Sequence, residues 1–194
     1  METMPNHFLT VGLCGRDYEK LEAMGKEDYE EIDFGSLKGA NLCELMLKLP
    51  EELQGIVSSN PKCRYVHKIT GERSKDPNGP TGVDRDQWER VPLTDQEVAE
   101  LVEKYGAADW YDWQIKNWGT KWGTYSLDVH ELGGDGSPIL IEFQSAWGPP
   151  TPEVMRGIDN YICETYCLKN IKWVGHDPYD NNTVDIEIAE VVSV

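Results

Sequence analysis

A few residues in this 194-residue chain have types and spacings that could do chemistry. Cys163 and Cys167 stand one helical turn apart, with His176 nine residues further on, a soft-ligand set for zinc. A fourth ligand is missing, and helical cysteines beside Ile162 read more simply as core thiols, so neither a metal nor a cofactor is expected. His130 lies on the polar side of one alternating run and Glu142 and Gln144 on that of the next. A hairpin would bring them together as an acid–base pair on an open sheet face. An ordinary cross-strand polar pair explains the same residues, and no catalytic set is expected. "DPNGPTGVDRD" (Asp76–Asp86) has the flavour of a calcium loop, but Pro80 and Thr81 stand where an EF-hand needs a ligand and a glycine. Phosphate loops, nucleophile elbows and HExxH motifs are absent from the sequence.

Charge points to binding. The net charge is −17, with twelve acids against five bases in residues 1–57 and twelve against four in 121–194. A field of this sign repels phosphate backbones and attracts basic surfaces, although it also serves solubility alone. The candidate contacts for a protein partner with a basic surface are Glu27, Asp28, Glu30, Glu31 and Asp33, and separately Asp185, Glu187 and Glu190. Lys62, Arg64, His67, Lys68, Arg73 and Lys75 form the one phosphate-facing patch. Direct nucleic-acid binding is not expected, because the aromatic-basic RNP signature is missing and the acidic terminal strands would repel RNA. No apolar run approaches the ~20 residues of a membrane span. The start "METMPNHFLTVG" lacks the pattern of an export signal, and five cysteines make an odd, sparse set; a cytoplasmic protein with reduced thiols is expected.

These groups need elements to hold them. "HFLTVGLCG" alternates Phe8, Thr10 and Gly12 with Leu9, Val11 and Leu13, a strand apolar on one side. "RDYEKLEAMG" sets Tyr18, Leu21 and Met24 at helical spacing before Gly25. Asp33–Leu53 reads as a mostly coiled connection with an apolar patch at Leu42–Leu49, and Lys68–Arg90 as a polar, turn-rich loop. In "LTDQEVAELVEKYG" Thr94 and Glu97 make a capping box ahead of a stripe of Val98, Leu101, Val102 and Tyr105. "TYSLDVHEL" and "ILIEFQSAW" flank a Gly-rich turn as a hairpin, with Tyr125, Leu127 and Val129 on one face. Thr151 caps a helix opened by Pro152 and lined inside by Val154, Ile158, Tyr161, Ile162 and Thr165. "IKWVG" and "VDIEIAEVV" close the chain as strands. The order β-α-β-β-α-β gives an α+β fold, a ferredoxin-like sandwich of antiparallel sheet with helices on one face. The expected organisation is a single domain over 1–194, with a mostly irregular insertion around 35–104 that includes the polar loop 68–90.

Between insertion and hairpin, "DWYDWQIKNWGTKWGTYS" holds four of the seven tryptophans. On a helix from Asp109 to Gly119, Tyr111, Ile115 and Trp118 share a stripe, and Trp110 and Trp113 project from nearly the opposite side. A helix with rings on both flanks is wedged between layers. Trp110, Trp113, Trp118, Trp122 and Trp147 are the expected aromatic cluster, with one or two rings left for binding.

Four segments, "MPNH" (4–7), "DFGSL…LPEEL" (33–53), "YGAADWYDWQIKNWGTKW" (105–122) and "IEFQSAWGPPTPEVM" (141–155), resemble the YubB-like family. Its members are phage- and plasmid-borne proteins with a ferredoxin-like domain and no assigned function. The paired "NWGTKW" and "AWGPP" are the specific part of the resemblance, and they imply contact of Trp118 and Trp122 with Trp147 beside Pro149–Pro150. Where the family has a small acidic-glycine segment after the last helix, this chain reads "WVGHDPYDNNTVDIEI". The resemblance implies the fold and a mobile-element origin and supplies no catalytic residues. Joined to the charge, it leads to a non-catalytic acidic module that occupies a basic, nucleic-acid-binding surface of a host protein, as an anti-restriction or anti-CRISPR inhibitor. The alternatives are a small enzyme around His130, Glu142 and the Trp118–Trp147 region, and a nucleic-acid binder using residues 62–75.

Overall fold

The computed structural model describes residues 7–25, 32–76, 79, 85–133, 138–177 and 183–186. In chain order its strands and helices are β1 (His7–Arg16), α1 (Tyr18–Ala23), α2 (Leu42–Met46), β2 (Ile56–Val57), β3 (Cys63–His67), β4 (Trp88–Pro92), α3 (Asp95–Tyr105), α4 (Trp110–Trp118), β5 (Thr124–Glu131), β6 (Ile139–Ala146), α5 (Pro152–Thr165), β7 (Leu168–His176) and β8 (Thr183–Asp185). The chain divides into two compact units, one of residues 1–47 with 118–194 and one of residues 48–117. Among the described residues no helix is long and apolar enough to cross a membrane.

The first unit is an α+β assembly on a five-stranded antiparallel sheet in the order β5-β6-β1-β7-β8. Its buried face carries Phe8, Thr10 and Cys14 of β1, Ile139, Ile141 and Phe143 of β6, and Trp173 of β7. Helix α5 brings Val154, Met155, Ile158 and Ile162 to the core, and Trp173 Nε1 donates to Asp159 Oδ1 of that helix at 3.0 Å. Gly12 is needed beneath the indole, since a Cβ there would stand 2.6 Å from the Trp173 ring. This fixes the sidedness of β1. The apolar side expected from the sequence (Leu9, Val11, Leu13) lies on the opposite face, where Leu13 is 45% exposed.

Other expectations shift for local reasons. The pattern puts Tyr125 inside with Leu127 and Val129. A bulge between Tyr125 and Asp128, with Ser126 at φ 52, adds one residue to β5, so Thr124 takes the buried place and Tyr125 turns out towards His7. Thr165, at the last turn of α5, is exposed, and Met155 fills the inner side instead. In α1 only Leu21 is buried, while Tyr18 and Met24 are about half exposed. Of the expected last strand, Val184 and Asp185 pair with β7, preceded by Thr183, and 187–194 lie outside the described residues.

The second unit is more regular than the sequence suggests. Cys63–His67 pairs along its length with Trp88–Pro92, and Ile56–Val57 completes a three-stranded antiparallel sheet. The end of the expected 68–90 loop is thus a 3-10 turn (Arg85–Gln87) leading into β4. The capping box forms as read: Thr94 Oγ1 accepts from Glu97 N, and Glu97 Oε2 accepts from Thr94 N at 2.8 Å. Of the expected stripe on α3, Leu101 is buried and Val102 is 48% exposed.

Candidate functional site

The five candidate tryptophans separate by burial. Trp113 and Trp118 are 5% and 1% exposed, whereas Trp122 and Trp147 are 40% and 49% exposed. Trp110 is half-buried and meets Tyr111 edge-on, their ring centroids 5.8 Å apart. The stripe expected on α4 is therefore corrected: Trp118 is buried, Tyr111 and Ile115 are only half-buried, and Trp113 from the other flank is core. Trp118 Nε1 donates to Leu47 O at 2.8 Å, and its carbonyl accepts from Thr151 N at 2.8 Å. Trp118 is drawn into the core, and Lys121 joins the two exposed rings, its Nζ 4.5 Å from the Trp122 centroid and 5.5 Å from that of Trp147.

The loops that carry these rings are fastened to each other and to the sheet. Buried Thr120 donates through Oγ1 to Ala146 O at 3.0 Å and accepts from Ala146 N at 3.1 Å. Ser145 Oγ donates to Gly148 O at 2.7 Å. Asn41, the N-cap of α2, donates through Nδ2 to Trp122 O and accepts through Oδ1 from Thr124 N, both at 3.1 Å. Gly123 makes the turn at φ 71, where a Cβ would collide with the Asn41 amide. Trp147 itself has φ 73, a left-handed conformation that costs a bulky residue energy and persists only when its surroundings impose it.

His130 does meet Glu142. Its Nε2 stands 3.5 Å from Glu142 Oε1 and 3.7 Å from Asp128 Oδ2. A hydrogen bond from Lys38, 3.0 Å away, and one from the Val129 amide hold the Asp128 carboxyl below its ordinary range. The three side chains are 44%, 38% and 41% exposed. Solvent screens such a group, and it lacks the water exclusion that sharpens acid–base machinery.

Three of the six residues of the basic stretch, Lys62, Arg64 and Lys75, face the protein's own acids. Lys62 Nζ bridges Asp109, which is wholly buried, and the half-exposed Asp112, whose Oδ2 is at 3.0 Å. Burial works against its charge, but the hydrogen bonds to Asp109 and Asp112 outweigh it and raise the ammonium above its ordinary value. Asp109 Oδ1 also accepts from Asp112 N at 2.9 Å, at the start of α4. Arg64 reaches Glu97 at 3.8 Å and Lys75 reaches Glu51 at 3.6 Å. Lys68 Nζ donates to Asp86 O at 2.6 Å, His67 Nε2 lies 3.0 Å from Gln87 Oε1, and the backbone of Arg73 makes an isolated antiparallel bridge with that of Val66.

Of the acidic candidates, Asp33 caps the 3-10 turn Phe34–Ser36, accepting from Gly35 N at 2.6 Å, and Asp185 is exposed on β8 opposite Val174. Glu27, Asp28, Glu30, Glu31, Glu187 and Glu190 lie outside the described residues, as does most of Asp76–Asp86. All five cysteines are free thiols. Cys163 sits on α5, and burial pushes it up to about 11. Cys167 follows the helix at φ 50, with its Sγ 3.4 Å from Met24 Sδ. Both Cys167 and Met24 line a cavity of about 290 Å³ with Asp33 and Tyr166. Among the described residues no three His, Cys, Asp or Glu are grouped to hold a metal ion.

Sequence reading missed Lys121, Lys38 and Asn41. Asn41 had a usable signal, a capping residue directly before Leu42 and Cys43. The two lysines had none, because their partners are set by tertiary structure. No family model matches the chain, and no significant match was found among the curated proteins or the solved structures.

Proposed function

We propose that this protein is a non-catalytic, acidic protein-binding module of a phage or other mobile element. It occupies a basic, nucleic-acid-binding surface of a host protein, and inhibition of a restriction or CRISPR component is the concrete form. The observation that carries this reading is the disposition of charge. Of eighteen lysines and arginines, at least seven (Arg16, Lys38, Lys62, Arg64, Lys75, Lys104, Lys169) face carboxylates of the same chain, against a net charge of −17. These cations are engaged by the protein's own acids, which supports an overall field that favours a basic partner over a phosphate backbone. Three of the six residues of the candidate phosphate patch, Lys62, Arg64 and Lys75, face carboxylates, which weighs against the nucleic-acid reading. The histidine–carboxylate group around His130 is water-exposed, which weighs against the enzyme reading.

The strand order β5-β6-β1-β7, with α1 following β1 and α5 joining β6 to β7, supports a ferredoxin-like sandwich, here extended by β8. The YubB-like resemblance supports the mobile-element origin. The test is capture of host proteins from nuclease-treated lysate, followed by the salt dependence of the purified pair. The expected result is one dominant partner with a basic surface. Its affinity should fall with salt and weaken when Asp33 with residues 27–31, or Asp185 with Glu187 and Glu190, are neutralised. Recovery only through nucleic acid, or salt-independent binding, would contradict it.

A further inference from the structure

We propose that Trp122 and Trp147 form a receptor for an arginine side chain of the basic partner, a site that Lys121 fills in the free protein and leaves on binding. This rests on the acidic-module reading above and names its anchor. The first observation is that the two rings already share a cation: Lys121 Nζ is within cation–π range of both ring centroids, at 4.5 and 5.5 Å. Indole is the best side-chain ring for a cation, so the internal lysine reports what the two rings accept.

The second observation is exposure under constraint. Both rings remain 40–49% exposed although the neighbouring Trp118 is drawn fully into the core. Trp147 keeps its ring outward from a backbone at φ 73. Strain of that kind is retained where the surrounding structure dictates it, here through the Thr120–Ala146 and Ser145–Gly148 hydrogen bonds and the Asn41 tie to Trp122 O. Loop backbone held in this way loses little conformational entropy when a ligand arrives.

Charge complementarity selects the occupant. A protein of net charge −17 draws cationic side chains to its surface. Between the two candidates, arginine is the better: its planar, weakly hydrated guanidinium stacks on an indole face, whereas the ammonium of lysine is compact and strongly hydrated. Tryptophan and arginine are also the residues that most often anchor protein interfaces.

The experiment compares labelled oligo-arginine and oligo-lysine peptides of equal length, titrated at low salt against wild type, Trp122→Ala/Trp147→Ala and Lys121→Gln. Wild type should prefer the arginine peptide by about three- to tenfold, and the double variant should lose that preference while still binding the lysine peptide. Lys121→Gln should bind both peptides more tightly and widen the preference for arginine. The single variants Trp122→Ser and Trp147→Ser, each checked by melting temperature, should each lose about threefold on the arginine peptide and so carry the test if the double variant folds poorly. Equal affinity of wild type for the two peptides, or a preference that survives removal of both rings, would overturn the arginine receptor and leave the acidic surface standing. Binding of neither peptide would overturn both.

Discussion

Residues 62–75 hold five lysines and arginines, while the corner formed by residues 118–123 and 145–151 holds one lysine and three tryptophans. Read as sequence, the first is the one candidate phosphate-facing patch, not expected to bind nucleic acid, and the second a wedged aromatic cluster with one or two rings left for binding. In the folded protein Lys62, Arg64 and Lys75 each face a carboxylate, and Asp109 beneath Lys62 is wholly buried. At the corner one tryptophan is core and two are held outward around a cation. Neither charge nor ring count in a sequence gives availability: a cation counts as surface only after its own chain's acids are accounted for, and a ring only where the backbone does not bury it.

The comparison can be broken at several points. The largest effect belongs to Trp118→Ala, which removes a ring that is 1% exposed and donates to Leu47 O. It should cost about 3–5 kcal/mol in urea unfolding, against about 0.5 kcal/mol or less for Trp122→Ala. Equal costs would mean that the corner is core throughout. Asp109→Asn breaks the pair with Lys62 and should cost about 2 kcal/mol, less than a fully buried pair because Lys62 keeps some solvent and Asp112. Lys75→Ala, whose pair with Glu51 is exposed on both sides, should leave the unfolding midpoint unchanged. Thr94→Ala, which removes the capping box of α3, should cost about 1 kcal/mol.

The buried thiols give an effect that is read only at alkaline pH. Burial pushes Cys14 and Cys43 up to about 12 and Cys163 up to about 11, against 9.0 for an unburied thiol. The folded state therefore holds these protons after the unfolded chain has released them. Their contribution is complete below pH 9.0 and is lost as pH rises from there towards about 12. Thermal melts across that range should show the loss, with a shallower slope in Cys43→Ala than in wild type. An identical slope would remove Cys43 from the account.

What the sequence disclosed was local. Thr94 with Glu97, and Thr151 with Pro152, announce their helices because a cap is closed within four residues. The β5–β6 hairpin is visible in its alternation. The bulge at Ser126 is not, since only pairing with β6 shows that β5 has one residue too many. The sidedness of β1 depends on Trp173, far along the chain, lying over Gly12. Trp118 and Trp122 belong to one short motif, yet one is core and the other half in water, because the chain turns at Gly119 and Gly123 between helix and strand. For the same reason Lys62 could not be discounted as a phosphate contact until Asp109, 47 residues away, was seen beneath it.

The most direct test of the central claim, that Lys62, Arg64 and Lys75 face the protein's own acids and the overall field favours a basic partner, is a side-by-side anisotropy titration. Wild-type protein is titrated against labelled single-stranded and duplex oligonucleotides and against an oligo-arginine peptide, from low to physiological salt. The account predicts that the peptide binds, with affinity falling as salt rises, and that neither oligonucleotide binds at any salt. Oligonucleotide binding that disappears in Arg64→Ala/Arg73→Ala would contradict it, and would return residues 62–75 to the surface as the working site.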